Sequence, residues 1–282
     1  MRKKIISANK TDDLSQKDMQ EIVNKTDNHI VATLEKTDLN FINSVNCNHT
    51  DTRDNITNCL LEKNRLAMCD GNVLHCVNGL RYTGDRVLIT KKAFDLAKNE
   101  NLINIRLTND TIQPEKENEK QYKYAVLHCE CTDYVTKLTK SEYPKLDDLF
   151  QAEGATSFSL DINKLLPVCA QFIRDKKRVN GYLIGMKWQF DFRKATLSVM
   201  LNCNQLDSVA IKESLHKIPI TNLKTGYESD NFKTCFDSEY LFNSMKFLNL
   251  NEITFKVYHN NYRPLFMESQ NKTALIMPIR LE

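Results

Sequence analysis

Apolar and polar positions follow nearly the same order twice along the chain. In the first pass, a strand-like run at 29–34 precedes a short helix capped by Thr37 or Asp38. A second helix is predicted over 90–99, and the pass ends at the bend Tyr143-Pro144. The other strands predicted in this pass are 56–62, 65–69, 73–77, 102–107, 111–113, 122–131 and 133–138.

The second pass repeats the order strand, helix, strands, helix, strands. A strand at 156–160 leads into a helix over 161–174 whose apolar residues recur at helical spacing. Pro167 is expected to kink or shorten that helix, because it removes a backbone donor. Asp237 is predicted to cap a helix over 238–249. The other strands predicted in this pass are 181–190, 195–202, 206–213, 252–258, 263–268 and 273–280.

A repeat of roughly 125 residues predicts two α+β domains, each with two helices packed on antiparallel sheets. The predicted domains cover residues 28–153 and 154–282. Residues 1–27 are polar and charged, and they are predicted to form an N-terminal extension. This extension has one weakly amphipathic piece at 14–23, the place where a single helix could form, and no core to bury.

Composition indicates an ordinary soluble globular protein, with 41% apolar and 27% charged residues. The formal charge is +3, from 39 basic and 36 acidic residues. This balance neither demands nor excludes nucleic acid, so any nucleic-acid surface must come from a local cluster of cations.

The cysteines indicate free thiols in a reducing cytoplasm. Nine are scattered along the chain, the N-terminus lacks the apolar region of a signal peptide, and no apolar run is long enough for a membrane span. The segment His128-Cys129-Glu130-Cys131 would need a second pair of ligands to hold zinc, and none is present. Alternation over 124–134 favours a strand there instead, so no metal is expected.

Catalytic chemistry is not indicated. Histidines are isolated, no Ser/His/Asp or Cys/His arrangement is visible, and the seven glycines form no phosphate-binding loop. The sequence therefore predicts a protein without catalytic residues or cofactors.

Two segments in the first pass carry a recognisable pattern. The first is Thr50-Asp-Thr-Arg-Asp-Asn-Ile-Thr-Asn-Cys-Leu-Leu-Glu62, followed by Leu66-Ala-Met-Cys-Asp-Gly-Asn-Val-Leu74. Its Asp70-Gly71 dipeptide predicts a hairpin turn in which Gly71 takes positive φ. The second segment is Thr136-Lys-Leu-Thr-Lys-Ser-Glu-Tyr-Pro-Lys-Leu146.

The third segment is the most specific. Phe236-Asp-Ser-Glu-Tyr-Leu241 begins the last helix, and Ala274-Leu-Ile-Met-Pro-Ile-Arg-Leu281 lies near the chain end. Together the three segments resemble the bacterial β sliding clamp (DNA polymerase III beta subunit) family, in its second and third domains. The chain departs from the family's pattern at Cys69, Asn72 and Val73, where the family has threonine, histidine and arginine.

The resemblance implies tandem DNA-clamp domains of the processivity fold. In that family, paired helices line a central hole and hold duplex DNA through phosphate-directed Lys and Arg, without reading its sequence. A solvated surface charge is the simpler interpretation of each such cation taken alone. The run 174–178 at a helix end is the strongest candidate, although a helix C-terminus also favours cations through its dipole. The DNA-facing candidates are Arg53, Lys91, Lys92, Lys98, Lys164, Arg174, Lys176, Lys177, Arg178 and Lys246.

The resemblance also implies a groove between the two domains in which polymerases and clamp loaders dock a short apolar peptide. Most of the matching residues could instead be core residues of an interdomain contact. The candidates are Ile56, Cys69, Gly71, Val73, Leu74, Tyr240, Leu275, Met277, Pro278, Ile279 and Arg280.

The chain is shorter than the family's three-domain chains. A six-domain ring would need three chains joined head to tail, as in the two-domain clamps of eukaryotes and archaea. The expected function is a cytoplasmic, non-catalytic accessory subunit of a DNA polymerase that encircles duplex DNA as a homo-oligomer. The alternative is a monomeric clamp-like adaptor or decoy that binds clamp-recognition peptides, or a resident clamp, without encircling DNA.

Overall fold

The chain divides into two compact units, Met1–Pro144 and Lys145–Glu282. Within the described part of the chain, no helix is long and apolar enough to cross a membrane. The computed structural model describes residues 3–8, 14–26, 30–36, 38–39, 45, 58–82, 86–109, 122–139, 143–151, 154–178, 185–202, 215–224, 231–248, 253–260 and 262–279.

The first unit contains two sheets, with strand orders β5-β4-β3-β6 and β1-β9-β8-β7-β2. Every strand pair in them is antiparallel except the parallel pair β1–β9. Its strands are β1 (Lys4–Ser7), β2 (Ile30–Glu35), β3 (Asn58–Glu62), β4 (Arg65–Cys69), β5 (Val73–Asn78), β6 (Val87–Thr90), β7 (Leu102–Asn109), β8 (Tyr122–His128) and β9 (Thr132–Lys137). Its described helices are α1 (Gln16–Lys25) and α2 (Lys91–Leu96).

The N-terminal segment differs from its prediction, because it buries apolar side chains. Ser15 caps α1 in a capping box with Asp18, and each of these residues accepts a hydrogen bond from the backbone N–H of the other. Met19 and Ile22, one turn apart, are buried against Val126 and Val135 of β8 and β9. The expectation that residues 1–27 have no core to bury was therefore wrong.

The second unit forms one continuous antiparallel sheet in the order β14-β11-β12-β13-β10-β15-β16-β17. Its strands are β10 (Thr156–Leu160), β11 (Gly185–Asp191), β12 (Thr196–Asn202), β13 (His216–Lys224), β14 (Asn231–Phe236), β15 (Thr254–Val257), β16 (Leu265–Ser269) and β17 (Lys272–Ile276). Its described helices are α3 (Leu146–Leu149), α4 (Ile162–Arg178) and α5 (Ser238–Leu248).

Aromatic side chains fill the core of the second unit. Trp188 is fully buried and packs edge-on against Phe190 and Phe236, with ring centroids 5.8 and 5.3 Å away. Phe158 stacks on Phe255 at 5.7 Å. Such pairs add to the stabilisation that burial of the rings provides. The predicted α+β class with antiparallel sheets is confirmed.

Most predicted elements are confirmed, and several differ. Helix α4 does not end near Pro167 but continues to Arg178, because its apolar face is buried and tertiary packing outweighs one lost hydrogen bond. The last strand ends at Ile276, just before Pro278. The sequence did not predict β1, β13, β14 or α3. Predicted strands 111–113 and 206–213, and most of the first predicted helix, lie outside the described residues.

Candidate nucleic-acid and peptide-binding surfaces

Helix α4 presents a cationic face. Its buried stripe includes Leu165, Cys169 and Phe172, which recur at spacings of three and four residues and pack into the unit. The opposite stripe lines an open cleft of about 550 Å³ together with residues of β13. The cleft is lined by Asn163, Lys164, Pro167, Val168, Gln171, Arg174, His216, Lys217 and Ile218.

Among the described residues, the partners of Lys164 and Arg174 in this cleft are weak ones. Lys164 lies 3.6 Å from Asp161 in a pair that is largely exposed. Arg174 donates a hydrogen bond of 2.7 Å to the amide oxygen of Gln171. Exposed pairs of this kind add little stability, because water screens them. Both side chains can therefore turn towards an external anion.

Strand β13 contributes two residues that the sequence analysis missed. Lys217 and His216 line the same cleft, so the structure brings them to the predicted cations Lys164 and Arg174. The imidazole of His216 packs against the ring of Phe172, 6.0 Å between centroids. Its Nε2 atom is buried without a hydrogen-bond partner among the described residues. No local signal pointed to these residues, because β13 itself was not predicted.

The other DNA-facing candidates are placed differently. Lys91 in α2 is only 12% exposed and forms an ion pair of 2.5 Å with Asp95. Lys92 and Lys98 are exposed. Lys246 in α5 lies over the ring of Phe242, 4.3 Å from its centroid. Arg53 lies outside the described residues, and only the backbone is described for Lys176, Lys177 and Arg178.

Peptide-groove candidates of the first unit lie on the β4–β5 hairpin. Gly71 has φ of 94°, as predicted, and the Asp70 carboxylate accepts hydrogen bonds from the N–H groups of Asn72 and Val73, at 2.8 and 2.9 Å. Cys69 and Gly71 are accessible, whereas Val73 and Leu74 are buried. The buried side chains of Val73 and Leu74 therefore anchor the hairpin, and Gly71 in the turn is exposed to solvent. Ile56 lies outside the described residues.

Candidates of the second unit surround the start of α5 and the end of β17. Asp237 caps α5, as predicted, by accepting hydrogen bonds from the N–H groups of Glu239 and Tyr240. Tyr240 is half-buried in the first turn, and Leu275 is buried in β17. Beyond the strand, Met277 is 44% exposed. Arg280 lies outside the described residues.

The tail after β17 is held against β14. The N–H of Ile279 donates a hydrogen bond of 2.8 Å to the carbonyl oxygen of Cys235. A Cβ atom at Gly185 would overlap the Cys235 sulfur and would lie 3.0 Å from the Ile279 side chain, so glycine at this position permits the close approach. Pro278 and Ile279 stay half-exposed beside Met277. An apolar, partly accessible ridge results.

In the segment His128-Cys129-Glu130-Cys131, the first two side chains make contacts within the fold. His128 Nδ1 lies 2.8 Å from the Asp133 carboxylate; burial lowers the His128 pKa, and the Asp133 charge opposes that shift. Burial raises the pKa of the Cys129 thiol to about 12, so it stays protonated. Within the described ranges, no group of three His, Cys, Asp or Glu residues is arranged to hold a metal ion.

Comparison with solved structures identifies the fold of this chain. No protein-family profile and no curated protein matches the chain. Among solved structures, it is similar to a DNA polymerase III beta subunit from Eubacterium rectale, with a TM-score of 0.67 and 15% identity over 88% of this chain and 65% of that chain. A DNA polymerase III beta subunit from Thermotoga maritima gives a TM-score of 0.66 and 13% identity over 91% and 67% of the two chains.

A DNA polymerase sliding clamp from Pseudomonas aeruginosa gives a TM-score of 0.64 and 13% identity over 88% of this chain and 66% of that chain. The chain thus has the sliding-clamp fold and spans about two thirds of the length of these structures. The resemblance inferred from the sequence is confirmed at the level of fold.

Proposed function

We propose that the chain is a sliding-clamp-like processivity factor that encircles duplex DNA and docks polymerase or clamp-loader peptides. The observation that carries this proposal is the clamp fold combined with a cationic face on α4. Its role is that of a non-catalytic, cytoplasmic accessory subunit of a DNA polymerase. Among the described residues, Cys76, Cys129, Cys131 and Cys169 are free thiols, which suits a reducing compartment.

DNA binding would act through phosphates. Lys164 and Arg174 are ten positions apart on one helix, which separates them by about 15 Å along its axis. Duplex DNA carries phosphates every ~3.4 Å along each strand, so these two cations and Lys217 can engage several at once. Contacts of this kind position a protein on DNA without reading its sequence, as a clamp that slides requires.

Encirclement has a direct test. The chain is bound to a closed circular plasmid, the DNA-bound fraction is isolated by gel filtration, and the plasmid is then cut once with a nuclease. We expect the protein to remain on the circle and to leave after the cut, because a ring slides off free ends. We also expect light scattering at micromolar concentration to show a population near three times the 32.7 kDa chain mass.

Blocking the cut ends with a bulky bound protein is the control, and it should restore retention. Two results together would count against a ring: a single-chain mass at all concentrations, and protein retention on the plasmid that does not change when the plasmid is cut.

Peptide docking rests on the accessible ridge of Met277, Pro278 and Ile279. Replacing Met277 with aspartate should weaken binding of a labelled polymerase clamp-binding peptide by about 10- to 100-fold. The physical reason is that burying a methionine side chain contributes ~1.5–3 kcal/mol, which a carboxylate forfeits. Fluorescence anisotropy measures the affinity.

The matched control is Tyr262→Asp, which adds the same charge at a side chain that is 74% exposed elsewhere in the second unit. Tyr262→Asp should bind the peptide as the unmodified chain does. Equal losses of peptide affinity in both variants would show that Met277 is not part of the docking surface.

A monomeric adaptor or decoy is the second candidate function. It is favoured by one observation, that β1 covers the β9 edge of the first unit. A chain that keeps its peptide affinity but stays at single-chain mass, and is never retained on circular DNA, would support this second function over the first.

A further inference from the structure

Strand β1 comes from outside the repeated unit and lies along its outermost strand. It pairs in parallel with β9, with Lys4 opposite Thr132 and Ser7 opposite Val135. The N–H of Lys4 donates to the Cys131 carbonyl at 3.2 Å, and the N–H of Ala8 donates to the Val135 carbonyl at 2.8 Å. The β9 edge would otherwise present a row of backbone groups able to pair with another chain.

A small packed module holds β1 in place. After β1, the chain returns as α1, whose Met19 and Ile22 cover Val126 and Val135 on one face of the sheet. Ile5 of β1 is partly buried against the same cluster. On the polar side, Lys3 Nζ lies 3.5 Å from the Asp133 carboxylate. Each of these contacts is local to the β8–β9 end of the sheet.

The β1–β9 pairing has the features of a displaceable cover. It is the one parallel pair among the described strand pairs, and parallel pairing is slightly less stable per residue than antiparallel pairing. It spans four residue pairs, whereas β9 runs for six residues from Thr132 to Lys137. An antiparallel strand could therefore form a longer and better ladder on the same edge.

We propose that β1 occupies in cis a strand-accepting edge that a second copy of this chain uses when the chain assembles, so that the β1–α1 segment regulates assembly. The occupant is a second copy because a head-to-tail ring joins one surface of each chain to a different surface of the next, and an edge strand such as β9 is a surface that readily accepts a strand of another chain. This inference rests on the proposed ring. Full assembly then requires β1 to leave β9.

Breaking the cover should promote assembly. Lys4 and Ala8 donate to β9, and the alternation of a parallel ladder directs the N–H of Ile6, between them, to the same strand. Ile6→Pro removes that donor. We expect its assembly midpoint, measured by analytical ultracentrifugation, to fall at roughly tenfold lower concentration than that of Ile6→Ala, the shift that one or two lost backbone hydrogen bonds produce.

Ile6→Ala is the matched control, because it shortens the side chain but keeps the N–H. Locking the cover should have the opposite effect. Lys4 and Thr132 are partners in register, and neighbouring strands lie ~4.8 Å apart, within the span of a disulfide. Lys4→Cys with Thr132→Cys, in a Cys131→Ser background, should stay at single-chain mass when oxidised and assemble when reduced.

An oxidised lock that assembles as well as its reduced form would overturn the proposal, and so would equal midpoints for Ile6→Pro and Ile6→Ala. If Ile6→Pro fails to fold by circular dichroism, the lock alone decides. An Ile6→Pro assembly that is not retained on circular DNA would refute the ring function and leave this inference standing. A disulfide-locked chain that encircles DNA would refute this inference and leave the ring function standing.

Discussion

Replacing Glu62 with glutamine should lower the free energy of unfolding by about 3 kcal/mol. The Glu62 side chain is only 7% exposed, and it accepts a hydrogen bond of 2.8 Å from Arg86 Nε. Its second oxygen lies 3.3 Å from a guanidinium nitrogen of Arg65. Removing the charge leaves the guanidinium groups of Arg65, 13% exposed, and Arg86, 36% exposed, facing a neutral amide that is itself largely shielded from water, so the pair with Arg65 carries most of the loss.

Loss of the Glu62 charge should also weaken a second contact of Arg86. Arg86 also donates a hydrogen bond of 2.9 Å to the carbonyl of Tyr143, close to the end of the first unit. A guanidinium that has lost its carboxylate is held less firmly, so this connection between β6 and the end of the unit weakens as well. Urea denaturation followed by circular dichroism gives the change as a shift in midpoint.

Glu268→Gln is the matched control for Glu62→Gln. Glu268 forms an ion pair of 2.6 Å with Lys256, whose two side chains are 38% and 25% exposed. Partly exposed pairs contribute roughly 0–1 kcal/mol, so this substitution should move the midpoint little. If both glutamine variants lose the same free energy of unfolding, the burial of Glu62 does not account for the contribution of its ion pairs to stability.

Local patterns in the sequence were sufficient where a turn and an alternation agreed. Strands 65–69 and 156–160 were predicted to the residue. In the first case Asp70-Gly71 fixes the turn, because glycine takes positive φ without a steric penalty and the aspartate binds the following N–H groups. The cap of α5 at Asp237 is local in the same way.

Strand β13 escaped prediction because its pattern is weak. Only Ile218 and Ile220 are buried, Pro219 between them is a residue that usually argues against a strand, and Asn222 has φ of 51°. Its partners β12 and β10 supply the ladder that holds it. The second half of the cationic cleft, Lys217 and His216, was missed with it.

The amphipathic piece at 14–23 does form a helix, but the burial of this helix was missed for a related reason. Met19 and Ile22 are the two buried residues of this helix and Val23 is half-buried beside them, and three apolar positions among ten are too few to distinguish a packed helix from an exposed one. They are buried against Val126 and Val135 of β8 and β9, more than one hundred positions later in the chain. Tertiary contacts at that distance leave no trace in a local window.

The triple variant Lys164→Ala, Arg174→Ala, Lys217→Ala should lose most of the chain's affinity for duplex DNA. Each phosphate contact contributes about 0.9 to the slope of log affinity against log salt concentration, so three lost contacts should reduce that slope by about 2.7. At 0.1 M salt this corresponds to a roughly 500-fold weaker complex. Titration of a labelled duplex at several salt concentrations measures both quantities.

A second triple variant separates the position of these cations from their number. Lys194, Lys224 and Lys233 are exposed cations on the strands and turns of the same unit, and replacing them with alanine removes the same net charge. If the cleft of α4 and β13 contacts phosphate, this control should keep nearly the full slope. Equal slopes in the two triples would instead assign DNA binding to the overall charge of the unit, and the cationic face would no longer support a clamp.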